Sequence, residues 1–215
     1  MHTTKPILTK TLSDSDYPLL SLELHLVDTI GIEGQHERRR WEYAMALKAL
    51  ATWKVLDPER AKSTAGAIDV GGAGSNLNQM LSRAWNDNPC MVVDPAVNTS
   101  AAEAAAAGFS SYVVTCVSVL EHVEDEWEFL SALDKLVRPG GMLFLTMDCG
   151  DSSQTTDTAH YHWMRTRLYT PETWSELAKR FVDSGWEFLG DFDFSYNGHT
   201  VFDYSFASLS LRKKA

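Results

Sequence analysis

Several clusters of residues in this sequence carry side chains able to do chemistry. The first is Asp69-Val70-Gly71-Gly72-Ala73-Gly74-Ser75. Residues this small let a chain turn tightly and bring its backbone close to a ligand. The second is Asp94, whose carboxylate can accept hydrogen bonds from both ribose hydroxyls of an adenosine-type ligand. The third is Ser118-Val119-Leu120-Glu121-His122-Val123, followed by Arg138-Pro139-Gly140-Gly141. The fourth is Asp148 with His160, Tyr161, His162, Arg165 and Arg167, which offers bases and two guanidinium groups for an anion. Between Asp148 and that cluster, the polar run 151–157 reads as a mobile lid. His160 and His162 with Asp148 could in principle hold a metal. We expect none, because oxygen-rich metal sites bring more convergent carboxylates.

These residues need a frame, and the pattern around them supplies one. Ala67–Val70, Cys90–Asp94, Tyr112–Val119 and Met142–Met147 read as apolar strands. Leu77–Trp85, Ser100–Ala107 and Glu124–Val137 read as helices between them, and Pro139-Gly140-Gly141 breaks the chain before the last strand. Thr170-Pro171-Glu172 is a helix start, with a capping hydroxyl and a proline at the first helical position. That helix should run to Ser184. Trp186–Phe194 and His199–Arg212 then read as two late strands joined through Asn197-Gly198. Upstream, a helix should begin near His36 and carry Trp41, Ala44, Leu47 and Leu50 on its apolar face, with Arg38, Glu42 and Lys48 between them. Trp41 and Tyr43 cannot share one helical face, so at least one should point away from the sheet. Leu19–Val27 is open between strand and helix. Strand–helix alternation with apolar central strands implies an α/β fold, a doubly wound and mostly parallel sheet covered on both faces. The terminal hairpin implies one antiparallel C-terminal strand.

The glycine-rich turn lies at the end of a strand and opens a helix, where ligands of open α/β sheets bind. The dinucleotide fingerprint G-x-G-x-x-G does not fit, since counting from Gly71 its second and third glycines fall on Ala73 and Asn76. What distinguishes the sequence is V-T-C-V-S-V-L-E-H-V over 114–123 followed by L-V-R-P-G-G-M-L-F-L over 136–145. Here the chain resembles the class I S-adenosylmethionine-dependent methyltransferases, over roughly Ala67 to Met147 and more loosely through Tyr169–Glu172 and the final hairpin. Trp41-Glu42-Tyr43 resembles the leading helix of members that act on small metabolites or sugars. The resemblance implies a Rossmann-like fold. It implies that Gly71, Gly72 and Ala73 bring backbone against the methionine part of S-adenosylmethionine, that Asp69 holds its ammonium group through water, and that Asp94 binds the ribose. Ser118 and Val119 would lie along the cofactor, with Glu121 and His122 at the mouth of the acceptor pocket. The family's second and third glycines are Ala73 and Ser75 here. The interval between Asp94 and Tyr112 is too short for the family's usual third, edge strand, which should be short or missing. The adenine would then be held by something else, such as stacking on Phe109.

Catalysis of this kind needs alignment and, for a protonated nucleophile, a base. His122 and His162 are the candidate bases, and Glu121, Asp148, Tyr161 and Arg165 the candidate acceptor-binding residues. Arg38-Arg39-Arg40 reads as a solvated face, or alternatively an Arg or Tyr43 closes over the cofactor.

The rest of the composition bounds the function. The 215 residues carry a formal net charge of −10, which repels phosphate backbones, so nucleic acid is not an expected partner. The expected partner is a small-molecule acceptor, a metabolite or sugar with an oxygen or nitrogen nucleophile. Cys90, Cys116 and Cys149 have no metal-ligand spacing and read as reduced thiols. No apolar run is long enough to span a bilayer, and Met1–Thr11 lacks a signal-peptide core, so we expect a cytoplasmic protein without membrane partners. Residues 1–215 should form one domain, with 1–60 as an N-terminal lid or leading-helix segment. A cofactor-binding module without catalysis is the main alternative, and a nucleic-acid methyltransferase a lesser one.

Overall fold

The computed structural model describes residues 6–31, 39–151, 159–161, 164–196 and 204–215, with the backbone alone for 14, 159–161 and 164–166. In chain order the α-helices are α1 (Ser21–Ile30), α2 (Arg39–Leu56), α3 (Leu77–Ala84), α4 (Ala101–Ala106), α5 (Glu126–Leu136) and α6 (Pro171–Asp183). The strands are β1 (Ile7–Thr9), β2 (Ala67–Val70), β3 (Cys90–Val93), β4 (Ser111–Val117) and β5 (Val137–Cys149). They continue with β6 (Ala159–Tyr161), β7 (Met164–Thr166), β8 (Trp186–Phe188), β9 (Asp191–Phe192) and β10 (Ser205–Lys213).

The main sheet has six strands in the order β3-β2-β4-β5-β10-β8. β3, β2, β4 and β5 are mutually parallel, and β10 is antiparallel to both β5 and β8. This is the Rossmann-like arrangement with one antiparallel strand that the sequence implied. The chain runs from β2 outward to β3 and returns to the other side of β2 as β4. Strand order therefore reverses between β2 and β4, and their carboxyl ends form a crevice there. The expected loss of the edge strand holds: α4 ends at Ala106, Gly108 turns with φ 82°, and the chain enters β4 at Ser111. β3 is left as the edge of the sheet.

Local sequence explains most boundaries. Ser100 caps α4 reciprocally with Glu103, and Thr170 caps α6 with Thr173 one turn later. α5 ends at Leu136, so Val137 opens β5 rather than closing the helix. Pro139-Gly140-Gly141 does not break the chain outside the strand. It makes a bulge within it, where the register on β4 jumps from Ser111↔Val137 to Val113↔Met142. Gly140 turns with φ 82°, and its carbonyl accepts a hydrogen bond from Trp53 Nε1 at 2.9 Å.

The C-terminal hairpin is shorter than its sequence suggests. β8 pairs with β10 only from Trp186↔Lys213 to Phe188↔Leu211. At Gly190, φ 135°, the chain leaves β10 and β9 pairs in parallel with β1. The N-terminal residues have taken the vacated edge. Leu12 N–H donates to Phe206 O and Ser208 N–H to Lys10 O, each at 2.8 Å. Asn197-Gly198 lies outside the described residues.

Leu19–Val27 resolves as helix: a 3-10 segment, Asp14–Leu20, capped by Ser13 and Asp16, leads into α1. α2 is covered on more sides than a surface helix. Trp41, Glu42, Tyr43, Ala44, Met45, Ala46 and Leu47 are consecutively buried. Trp41 faces the N-terminal segment, donating through Nε1 to Asp16 at 2.9 Å, while Tyr43 faces the crevice. Both rings are buried because α1 covers one side of α2 and the sheet the other. This also overturns the reading of Glu42 as part of a polar face. Among the described residues, no helix is long and apolar enough to cross a membrane.

Candidate functional site

The site begins where β2 ends. Gly71 has φ 77°, and a Cβ there would stand 2.1 Å from Val119 Cγ2. A Cβ on Gly72 would stand 2.3 Å from Asp69 Oδ2. Both positions therefore need glycine, whereas Ala73 replaces a family glycine without strain. Gly71 N–H donates to Val93 O at 2.8 Å and ties the turn to β3.

Asp94 follows β3 at the rim, partly exposed. Its Oδ2 accepts from Ala73 N–H at 3.1 Å and its Oδ1 from Ala96 N–H at 2.8 Å. Each oxygen keeps a lone pair for a ligand hydroxyl. Asp69 lies beneath, fully buried. Thr115 Oγ1 donates to its Oδ1 at 2.7 Å, while Oδ2 meets no donor among the described residues. Burial, with a smaller contribution from the Asp94 charge, pushes the Asp69 carboxyl up to about 7. Thr115 and the nearby Ser75 hydroxyl oppose that rise.

The opposite wall comes from β4 and α2. Ser118 adopts φ 50°, a left-handed conformation unusual for a side chain with a Cβ. Its N–H donates to Thr146 Oγ1 at 3.0 Å, and its Oγ donates to Glu42 Oε1 at 2.7 Å. Thr146 Oγ1 donates to the same Glu42 oxygen. Glu42 Oε2 pairs with Arg39 at 2.8 Å. Burial works against the Arg39 charge, but Glu42, Tyr43 and Glu121 hold its guanidinium above the ordinary range. Arg39, Tyr43, Asp69, Gly71, Ala73 and Ser118 line one cavity of about 100 Å³. Whole ligand pockets are typically about 300–1,000 Å³, so this slot takes one end of a ligand and leaves the remainder over Asp94.

Gly71, Gly72, Ala73, Asp69 and Ser118 thus come together, with Asp94 hydrogen-bonded at the rim and Val119 against Gly71. Glu121 and His122 share a 3-10 turn, Leu120–His122, and point to different surroundings. Glu121 is buried, and neither of its oxygens meets a donor among the described residues. His122 is exposed, and its N–H donates to Val119 O. Asp148 is buried near the end of β5, its carbonyl accepting from Tyr169 N–H at 2.9 Å. Tyr161 and Arg165 sit on the paired strands β6 and β7. The chain leaving β7 crosses Glu121, whose carbonyl accepts from Arg167 N–H at 2.8 Å. His162 lies outside the described residues, as does Arg38.

Phe109 is not an adenine platform. It is exposed and precedes the amino end of β4, on the opposite side of the sheet from the slot. Arg167 is committed to Glu126 Oε2 at 2.5 Å, an oxygen that Tyr169 also reaches at 2.6 Å. Arg40 pairs with Asp28, and Arg39 alone of the described arginines lines the slot. Sequence reasoning left Glu42, Thr115 and Thr146 unassigned. A glutamate between two aromatics in an apolar helix was the one signal available for the first; the hydroxyls carry none. No cluster of three or more metal-ligating side chains occurs among the described residues.

A family model described as a methyltransferase domain matches residues 35–189. The chain therefore belongs to the methyltransferase-domain family, of the class I, S-adenosylmethionine-dependent kind. Among solved structures, the DszA carbon methyltransferase is 13% identical, with 93% of this chain and 59% of that chain covered and a TM-score of 0.55. Magnesium protoporphyrin IX methyltransferase (ChlM) from Synechocystis PCC 6803, with bound SAH, is 15% identical over 93% of this chain and 97% of that chain, with a TM-score of 0.45. The [4+2]-cyclase SpnF is 14% identical over 99% of both chains, with a TM-score of 0.47. At these identities the first shares the fold, and the other two are similar in outline. No curated protein matches the chain.

Proposed function

We propose that this chain transfers a methyl group from S-adenosylmethionine to a small-molecule acceptor with an oxygen or nitrogen nucleophile. The observation that carries the reading is the buried Asp69 Oδ2, which makes no hydrogen bond among the described residues and faces the Gly71-Gly72 turn inside the slot, with the Ser75 hydroxyl nearby. A buried carboxylate oxygen of this kind fits an ammonium group. Asp69 would hold the methionine ammonium, and Gly71, Gly72 and Ala73 would admit the methionine backbone. Asp94 would accept from the ribose hydroxyls, with Ser118 and Val119 lining the path between. The bound cofactor supplies an electrophilic methyl on a sulfonium, transferred in line to a nucleophile. The protein's task is then alignment, which can supply several kcal/mol, up to about 7–11 in favourable cases.

On the acceptor side we assign Glu121 and Asp148 beneath the chain that follows β7, with Tyr161 and Arg165 on the covering strands. His162 and His122 are the proposed bases. His122 can serve only an acceptor that approaches from the outer face of its turn, since it is exposed there. The acidic balance of the chain, −10, favours a small molecule over a nucleic acid.

Calorimetric titration with S-adenosylhomocysteine, paired with a methyl-transfer screen, tests the proposal. Asp94→Ala should weaken binding by about ten- to a hundredfold, the loss of hydrogen bonds to an ionised acceptor. An unchanged affinity would remove Asp94 from the ribose role. Binding without turnover on any acceptor would point instead to a cofactor-binding module.

A further inference from the structure

Asp94 leaves a short strand whose outer side carries no neighbouring strand. β3, Cys90–Val93, is the end of the main sheet and pairs with β2 alone. Gly71 N–H donates to Val93 O, so the polar groups of Val93 face β2, and those of Val92 and Asp94 face outward. Backbone groups on such an edge need partners from elsewhere, and a short strand without them opens easily.

One side chain takes the vacant place. Asn98 Nδ2 donates to Val92 O at 2.7 Å, and its Oδ1 accepts from Asp94 N–H at 3.2 Å and from Thr99 N–H at 2.7 Å. The orientation of the amide follows from these partners, since a carbonyl only accepts and an N–H only donates. In a parallel ladder, one residue of the next strand donates to the carbonyl before a given residue and accepts from the N–H after it. Asn98 makes that pair of bonds about Val93 with a single primary amide. The turn that carries it also closes on Asp94: Val97, Asn98 and Thr99 N–H donate to Asp94 O at 3.0, 2.9 and 3.3 Å. With Ala96 and Ala73 N–H on the carboxylate oxygens, all four polar atoms of Asp94 are held, and Asn98 ties the turn back to β3.

We propose that Asn98 is a positioning residue for the ribose: it stands in for one residue of the absent strand and thereby aims the Asp94 carboxylate. This rests on the methyltransferase reading above and on the place of Asp94 in it. Asn98 is exposed and acts through the backbone of Asp94. A carboxylate held in advance meets the ribose hydroxyls directly, whereas one on an open edge must first be ordered, which weakens binding.

S-adenosylhomocysteine and its 2′-deoxy and 3′-deoxy analogues make the test, titrated by calorimetry into wild type, Asn98→Ala, Asp94→Ala and the double variant. Wild type should prefer the parent about tenfold or more over at least one analogue, as a hydrogen bond to an ionised acceptor is lost. Asp94→Ala should reduce that preference to within about twofold. Asn98→Ala should lower affinity for the parent about three- to tenfold and shrink the preference by about threefold or more. In the Asp94→Ala background the same substitution should change affinity by less than about twofold, because no carboxylate remains to be aimed. A merely structural asparagine would lower the melting temperature, leave the preference intact and remove the same factor in both backgrounds; that result overturns the proposal. Should Asn98→Ala not fold, amide exchange in the wild type decides. An Asp94 N–H protected about tenfold or more over the outward-facing Val92 N–H supports the proposal, and equal exchange overturns it. The wild-type titrations come first and separate the failures. No binding of S-adenosylhomocysteine refutes the methyltransferase reading, and equal binding of all three ligands removes Asp94 from the ribose; either takes this proposal with it. A preference lost in Asp94→Ala and kept in Asn98→Ala refutes this proposal alone.

Discussion

Replacing Asp69 by asparagine should stabilise the empty protein and weaken its hold on the cofactor at once. The native carboxyl is raised from 3.8 to about 7 by burial. Between these values the folded state binds more protons than the unfolded state, so stability falls as pH rises through the window and the full penalty is present above it. About three units at 1.36 kcal/mol each set an upper bound of ~4 kcal/mol at pH 8. Asp69→Asn removes that penalty and keeps the acceptor for Thr115, but it places an amide N–H where Oδ2 now lacks a partner, at a cost of about 1–3 kcal/mol. The net expectation is a variant more stable than wild type by roughly 1–3 kcal/mol at pH 8, with the advantage lost between about pH 4.5 and 6 and reversed near pH 4. Binding moves the other way. Loss of the ionised partner for the ammonium should cost about ten- to a hundredfold in affinity for S-adenosylhomocysteine. In wild type, affinity should fall about fivefold from pH 7 to pH 6 as Asp69 takes up its proton, while the α-ammonium stays charged. In the variant it should be flat. Denaturant titrations across pH and calorimetry at each pH measure both halves. Affinity that is unchanged by Asp69→Asn, or that keeps its slope with pH, would refute the assignment of Asp69 to the ammonium.

Two further substitutions probe the walls of the slot. Gly71→Ala forces a side chain into a left-handed φ and against Val119 Cγ2. It should cost about 1–3 kcal/mol of stability and most of the cofactor affinity, with partial recovery on adding Val119→Ala; a neutral outcome in thermal and calorimetric assays would show that the turn does not need glycine. Glu42→Gln should loosen Ser118, Thr146 and Arg39 together, lowering stability by about 1–3 kcal/mol and cofactor affinity with it. Wild-type values for both would mean that Ser118 holds its strained conformation without help from α2.

The secondary structure of the cofactor half was legible because each element there is locally consistent. Ala67–Val70 and Val113–Cys116 are buried on both faces and mostly apolar, as central parallel strands are, and Ser100 and Thr170 announce their helices through capping. The exceptions share a cause. Pro139-Gly140-Gly141 carries the local signature of a break, yet the sheet absorbs it as a bulge because Trp53 supplies a buried donor to Gly140. β8 stops after Phe188 because residues from the far end of the chain occupy the edge of β10, a competition that no local window contains. The placing of Phe109 failed for a related reason: sequence order locates it near Asp94, whereas strand direction carries it to the other side of the sheet.

By itself, the sequence determined which residues could meet a sulfonium nucleoside. Asp69, Gly71, Gly72 and Asp94 sit at strand ends, and the direction of parallel strands brings such ends to one side whatever else surrounds them. Only the tertiary structure decided what state those groups are in. Asp69 is only half ionised at pH 7 and Glu121 meets no donor among the described residues because other elements enclose both, and Ser118 is strained because a glutamate from α2 reaches across to hold it. Charge, burial and strain are properties of surroundings assembled from distant parts of the chain, and spacing along the sequence does not contain them.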